Sequence, residues 1–343
     1  MMNPRIEKFQ HQKMGTIVVT GAAGFIGFHV AHRLLSLGKQ VLGVDSLCDY
    51  YDVSLKEARL AQLKKKFGDQ FHFVKANIQD KEKMQDVWRQ AHPKITHVVH
   101  LAAQAGVRYS LIDPYSYVET NVMGHLVLLE MARHHGPVEN FVYASTASVY
   151  GSNTKIPFSE DDVTESPMAV YAATKKCDEL MSRAYAHLFR IPLTGLRFFS
   201  VYGPWGRPDM ALFIFTKNII EGKPIPVFNQ GRMKRDFTYV DDIVEGVLAA
   251  LASPQKDDGT NPPHRIYNLG NSHMENLSDY IALIEQYVGK KATIDYKGMQ
   301  AGDIPAALSD ISRAQAELGF QPKVRIQEGV RNFVEWYKGY YGV

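Results

Sequence analysis

The chain has 343 residues, 39 basic and 36 acidic, for a formal net charge of +3. So even a balance offers no electrostatic footprint for nucleic acid or an anionic membrane. Two cysteines without paired spacing, Cys48 and Cys177, argue against a disulfide or zinc framework and for a reducing, cytoplasmic setting.

The opening stretch MMNPRIEKFQHQK has charge but no apolar core, so it is expected to be a loose extension rather than a signal peptide. No run of apolar residues is long enough for a membrane span. TIVVT (16–20) is a β-branched run that predicts a buried strand. Residues 24–37 carry apolar positions at helical spacing and stop at Gly38. VLGVD (41–45), FHFVKANI (71–78), THVVHLAA (96–103), FVYAS (141–145) and PLTGLRF (192–198) predict further strands. Helices are predicted over 81–91, 116–134 and 170–189. Strands alternating with helices, apolar on both faces, mean an α/β fold: a doubly wound parallel sheet of Rossmann type. After about residue 199 the pattern breaks up, with IPVF (225–228) and RIYNLG (265–270) as short strands. The expected division is an extension over 1–13, a dinucleotide domain over 14–198 and a smaller α/β substrate lobe over 199–343. Parts of that lobe should return to the main domain.

Between the first strand and first helix stand Gly21, Gly24 and Gly27, in TGAAGFIGFHV. Glycines there let backbone approach a pyrophosphate, and the helix N-terminus offers Phe25, Ile26 and Gly27 amides to its charge. Asp45 ends the second strand, where a carboxylate hydrogen-bonds ribose hydroxyls and repels a 2′-phosphate, so NAD is expected over NADP. Asn77, Ile78, Ala102 and Ala103 close the third and fourth strands and should line the same cofactor.

Tyr171 and Lys175, in VYAATKKC, are four residues apart and share a helical face. A lysine ammonium beside a phenol favours its ionised form, which suits a base that takes a proton from a sugar hydroxyl. Thr146 ends the strand before them, at the edge where doubly wound sheets bind ligands.

With GAAGFIG, LAAQAGVRYS, YASTASVYG, YAATK, LRFFSVYGPWGRPDM, RDFTYVDDI and GDIP in this order, the chain resembles the extended short-chain dehydrogenases/reductases, in their nucleotide-sugar epimerase branch. The segments DYYDVSLKEARL and VYGPWGRPDMALF are most similar to the UDP-glucuronate 4-epimerases. The resemblance implies an NAD-dependent 4-epimerase of a UDP-sugar, UDP-glucuronate first, working through a transient 4-keto sugar. It implies Thr146, Tyr171 and Lys175 as the catalytic set, Asn121 beside the Tyr–Lys pair, and Arg235 and Asp303 on the UDP diphosphate and ribose, with Arg108 also on the substrate. It further implies a homodimer through a four-helix bundle built from the helices near 116–134 and 170–188.

The chain departs from the family pattern at Ala147, Ser200 and Asn77, where serine, threonine and aspartate are usual. Sister dehydratases and decarboxylases carry acids after the threonine, where Ala147 and Ser148 stand here. With no acid to act beside the new ketone, reduction of the ketone from its other face is the remaining outcome. Arg207 and Ser200 are expected to hold the substrate carboxylate, since an arginine fork matches it in shape and charge. Two other readings stay open: a 4-epimerase of a neutral UDP-hexose or UDP-pentose, and a non-catalytic NAD-binding regulator.

Overall fold

The computed structural model describes residues 2–136, 138–300 and 302–343. Helix α1 (Pro4–His11) precedes a regular alternation: β1 (Thr16–Thr20), α2 (Phe25–Ser36), β2 (Val41–Asp45), α3 (Val53–Phe67), β3 (Phe71–Lys75), α4 (Lys81–Gln90), β4 (Ile95–His100). Then come α5 (Pro114–Tyr117), a π-helical turn (Val118–Met123), α6 (Gly124–His134), β5 (Asn140–Thr146), α7 (Val170–Phe189) and β6 (Leu193–Phe198). The rest of the chain adds β7 (Ser200–Tyr202), α8 (Ala211–Glu221), β8 (Ile225–Val227), β9 (Lys234–Arg235), β10 (Phe237–Tyr239), α9 (Val240–Leu251), β11 (His264–Leu269), β12 (Glu275–Asn276), α10 (Leu277–Val288), β13 (Ile294–Tyr296), α11 (Ser312–Leu318) and α12 (Ile326–Tyr341).

Seven strands form one parallel sheet in the order β11-β6-β5-β4-β1-β2-β3. This is the doubly wound α/β arrangement expected from the sequence. The order reverses between β1 and β4, which opens a crevice at the carboxyl ends of those strands. Every residue of β1 and β6 is buried, because helices cover both faces. One apolar cluster, including Ile17, Val19, Leu34 and Val247, fills one face, and another, including Val18, Val98, Leu128 and Phe141, fills the other. The late strand β11 adds to β6, so the chain re-enters the main sheet after starting the second lobe. Three two-stranded sheets, β7–β10, β9–β12 and β8–β13, build that lobe.

Three local differences from the sequence reading have physical causes. The N-terminal stretch is not loose: Asn3 caps α1, Ile6 and Phe9 are buried, and the Lys39 ammonium donates to the carbonyls of Phe9, Gln10 and Gln12. Strand β4 stops at His100 because the Leu101 amide is shared between the Thr20 carbonyl and the Thr20 hydroxyl, both at 3.2 Å, and the Ala102 amide goes to that hydroxyl at 3.1 Å. The helix expected over 116–134 begins at Pro114 under the Asp113 cap and widens into the π turn before α6. Such turns are frequent at functional sites, and this one carries the buried Asn121.

Candidate active site

The turn from β1 to α2 is a backbone cradle. Gly21 sits at φ +73°, and a Cβ on Gly27 would stand 2.0 Å from the Gly21 carbonyl oxygen. Only glycine permits that approach, and it leaves the α2 N-terminus open, with Gly24 as an N-cap without a side chain. Asp45, at the end of β2, accepts the Ala23 amide on Oδ2 and the Leu47 amide on Oδ1, at 3.0 and 2.9 Å. The carboxylate is thereby fixed at the cradle's rim. Gly21, Gly24, Phe25, Ile26, Gly27, Asp45, Asn77, Ile78, Ala102 and Ala103 all line one cavity of about 500 Å³. A helix N-terminus for a pyrophosphate and a fixed carboxylate for ribose hydroxyls are the parts that NAD needs, so the residues present fit it.

Thr146 and Tyr171 face the same cavity. Thr146 is the last residue of β5, and its hydroxyl accepts the Ser148 amide at 3.2 Å and donates to the Ser148 hydroxyl. Tyr171 lies at the start of α7, its ring edge-on to Tyr117 with centroids 6.0 Å apart. A buried pair holds the helix: Arg197 of β6 grips Glu179 through two bonds of 2.8 Å, and the Ser145 hydroxyl donates to the same carboxylate at 2.7 Å. Strands β5 and β6 thus set where α7 presents Tyr171.

Lys175 and Asn121 are not on the cavity wall. The Lys175 ammonium is buried and donates to Asp178 Oδ2 at 2.7 Å, while Asp178 Oδ1 is buried with no hydrogen-bond partner among the described residues. Burial, opposed by the Lys175 charge, lifts the Asp178 carboxyl to about 6. Close by, the rings of His100 and His125 stack at 5.2 Å, both held neutral chiefly by burial. Asn121 works as a keystone. It accepts the Gln104 amide at 2.8 Å, and donates to the Gln104 carbonyl and the Thr174 hydroxyl at 3.1 and 3.0 Å. It therefore ties the loop after β4 to the first turn of α7.

Two smaller cavities adjoin the first. Arg108, Ser200, Arg207, Arg235 and Asp303 line one of about 190 Å³, and Thr146, Ser200, Arg235 and Asp303 share one of about 140 Å³. Arg235 Nη2 meets Asp303 Oδ1 at 2.6 Å. Arg207 lines both the large cavity and the second one. Its guanidinium does not stand free beside Ser200: Nε and Nη2 bind the two oxygens of Asp209 at 2.9 and 2.5 Å. Tyr50, from the loop after β2, donates to the same carboxylate at 3.1 Å. Asp209, Tyr50 and Asp178 are absent from the sequence reading. The signal for Asp209 was the R-P-D spacing, with Arg207 and its partner two residues apart. Arg59, also unforeseen and fully buried, donates to the Ala23 carbonyl, the Tyr51 hydroxyl and the Trp205 carbonyl, at 2.8, 2.7 and 2.6 Å.

The family model described as the NAD dependent epimerase/dehydratase family matches residues 17–270. UDP-glucuronate 4-epimerase 4 of Arabidopsis thaliana is 46% identical over 336 residues, 95% of this chain and 76% of that protein. The crystal structure of a Bacillus cereus UDP-glucuronic acid 4-epimerase, in complex with UDP-glucuronic acid and NAD, is 34% identical with a TM-score of 0.85, over 95% of this chain and 100% of that one. A Thermotoga maritima UDP-glucose 4-epimerase with UDP-glucose is 30% identical with a TM-score of 0.84, over 95% of this chain and 99% of that one. With its glycine cradle, Thr146 and Tyr171 on the same cavity and a family match across most of its length, the chain belongs to the NAD dependent epimerase/dehydratase family.

Proposed function

We propose that this protein is an NAD-dependent 4-epimerase interconverting UDP-glucuronate and UDP-galacturonate. One observation carries the reading: Thr146 and Tyr171 open onto the cofactor cavity, and the residues that follow Thr146 are Ala147 and Ser148, with no acid among them. The cradle, Asp45 and the strand-end residues would hold NAD, which when bound would supply a reversible hydride acceptor for C4 of the sugar. Tyr171 takes the proton of the C4 hydroxyl and later returns it. Thr146 holds that oxygen by a hydrogen bond, and Lys175, one helical turn on, supplies positive charge beneath the phenol. With no acid beside Thr146, protons next to the transient C4 ketone are left alone, and the sugar is free to turn before it is reduced. Arg235, Asp303 and Arg108 hold the UDP, while Arg207 and Ser200 hold the C6 carboxylate.

The printed names of the Arabidopsis and Bacillus relatives support the uronate. A neutral UDP-hexose is the second reading, and Asp209 favours it, since it already neutralises the one arginine assigned to the carboxylate. Homodimer formation is part of the proposal: Leu111, Ile112, Tyr115, Val118 and Met123 are exposed near α5 and the π turn, as are Leu180 and Leu188 on the adjacent α7. Among the described residues no helix is long and apolar enough to cross a membrane. The cytoplasmic assignment rests on the two free cysteines. The test is to incubate purified protein with UDP-glucuronate and, in parallel, UDP-glucose, without added NAD. UDP-galacturonate as the dominant product supports the uronate; UDP-galactose alone selects the neutral sugar.

A further inference from the structure

Arg207 sits where the cofactor cavity meets the substrate cavity, and the side edge of its guanidinium is fully used. Nε and one N–H of Nη2 go to Asp209, so the end of the fork, Nη1 with the second Nη2 hydrogen, is left for a ligand. Burial works against a charged Asp209, but the Arg207 guanidinium outweighs it, and the carboxyl is held below its usual range. Asp209 is therefore an anion under working conditions. Its Oδ2 also accepts from Tyr50, which is fixed in turn: its ring lies 5.0 Å from that of Tyr109, and a Cβ on Gly106 would meet its oxygen at 2.6 Å. A substrate carboxylate on the Nη1 end would share one cation with this built-in carboxylate.

We propose that Asp209 is a positioning residue that moderates the grip of Arg207 on the substrate's carboxylate. The inference rests on the assignment of Arg207 to that carboxylate. Its logic comes from the reaction. A uronate must be held while C4 is oxidised, then released far enough for the sugar to turn, then held again. An arginine with no other partner would bind the carboxylate tightly in one orientation and resist the turn. Asp209 stays on the arginine and serves as the replacement counter-ion at each release, so a partly buried guanidinium is never left unpaired. Tyr50 tunes that replacement from the cofactor side, because the hydrogen bond it donates draws on the charge of Asp209.

The experiment uses NAD-loaded protein. Dissociation constants for UDP-glucuronate and UDP-glucose are measured calorimetrically in a Tyr171→Phe background, where turnover is blocked, and kcat is measured with Tyr171 intact. Asp209→Asn keeps the shape and removes the charge. It should tighten UDP-glucuronate by about threefold to tenfold, leave UDP-glucose within about twofold, and lower kcat on the uronate. Tyr50→Phe should shift the UDP-glucuronate constant the other way, giving a second reading if Asp209→Asn folds poorly. A purely structural Asp209 would instead weaken both ligands along with kcat, and that result overturns the proposal. Arg207→Met separates the two levels. If it weakens both ligands equally, the carboxylate assignment falls, and this inference with it. If it weakens only UDP-glucuronate while Asp209→Asn does not tighten it, only the role of Asp209 falls.

Discussion

Gly27 lies so close under Gly21 that its Cα has room for hydrogen alone: a methyl carbon there would be 2.0 Å from the Gly21 oxygen. Gly27→Ala must therefore push the two halves of the cradle apart, and backbone cannot give as a side-chain tip can. The purified variant should carry about a tenth or less of the wild-type NAD per chain, read from its absorbance and by extraction. Wild-type protein should keep NAD through purification, since the cofactor is regenerated in each cycle.

Tyr171→Phe should reduce turnover by about 10²–10⁴-fold while NAD stays bound, because only the phenol oxygen is lost. A variant keeping more than about a tenth of wild-type rate would remove Tyr171 from the role of base. Lys175→Met should be inactive as well, and it also strands the buried Asp178 carboxylate, whose charged partner at 2.7 Å is gone. Its melting temperature should therefore fall, whereas that of Tyr171→Phe should hardly move.

Helix α1 is predicted to contribute to stability. Ile6 is fully buried in the main apolar cluster, and Ile6→Ala should cost about 2–5 kcal/mol in urea unfolding. Lys39→Met should destabilise through the same contact, since three carbonyls at the end of α1 lose their donor. If neither change moves the urea midpoint, α1 is not part of the cooperative unit.

Stability should fall as pH drops from about 6.5 toward 4. Burial lowers His29, His97 and His264 to about 4 in the folded state, against 6.5 when unfolded. The unfolded chain then binds more protons in this window, so the contribution of each ring is complete above 6.5 and lost on acidification. Asp178 has the opposite sign, favouring the folded state below its raised value of about 6. His97→Gln isolates one ring: its denaturant midpoint should vary less between pH 7 and 4.5 than that of the wild type. Parallel curves would show that His97 is not part of the linkage.

How legible the molecule was follows from how local its determinants are. The β-branched runs and the glycine spacing carry their meaning within a few residues, and the parallel sheet follows from their alternation. α1 is another matter: its short sequence has two buried apolar side chains and depends on Lys39, which follows α2. The π turn was invisible because its purpose, joining Asn121 to Gln104 and Thr174, is set by segments up to 53 residues away. At the site, residue types pointed to Thr146, Tyr171 and Arg207, but not to the carboxylates that occupy the cations. Asp178 and Asp209 read as ordinary polar residues until folding buries the charges beside them.

Arg59 joins the carbonyl of Ala23, in the cofactor cradle, to that of Trp205, in the loop leading into the second lobe. A buried cation thus ties the cofactor cradle to that loop, beside the contact of the His29 ring with the Pro204 carbonyl at 2.9 Å. Amide protons of the Ala23 turn and of the Trp205 loop should exchange with solvent together, and a ligand filling either lobe should slow both. The protein would then sense occupancy of one half in the breathing of the other, with no hinge motion needed to carry the message.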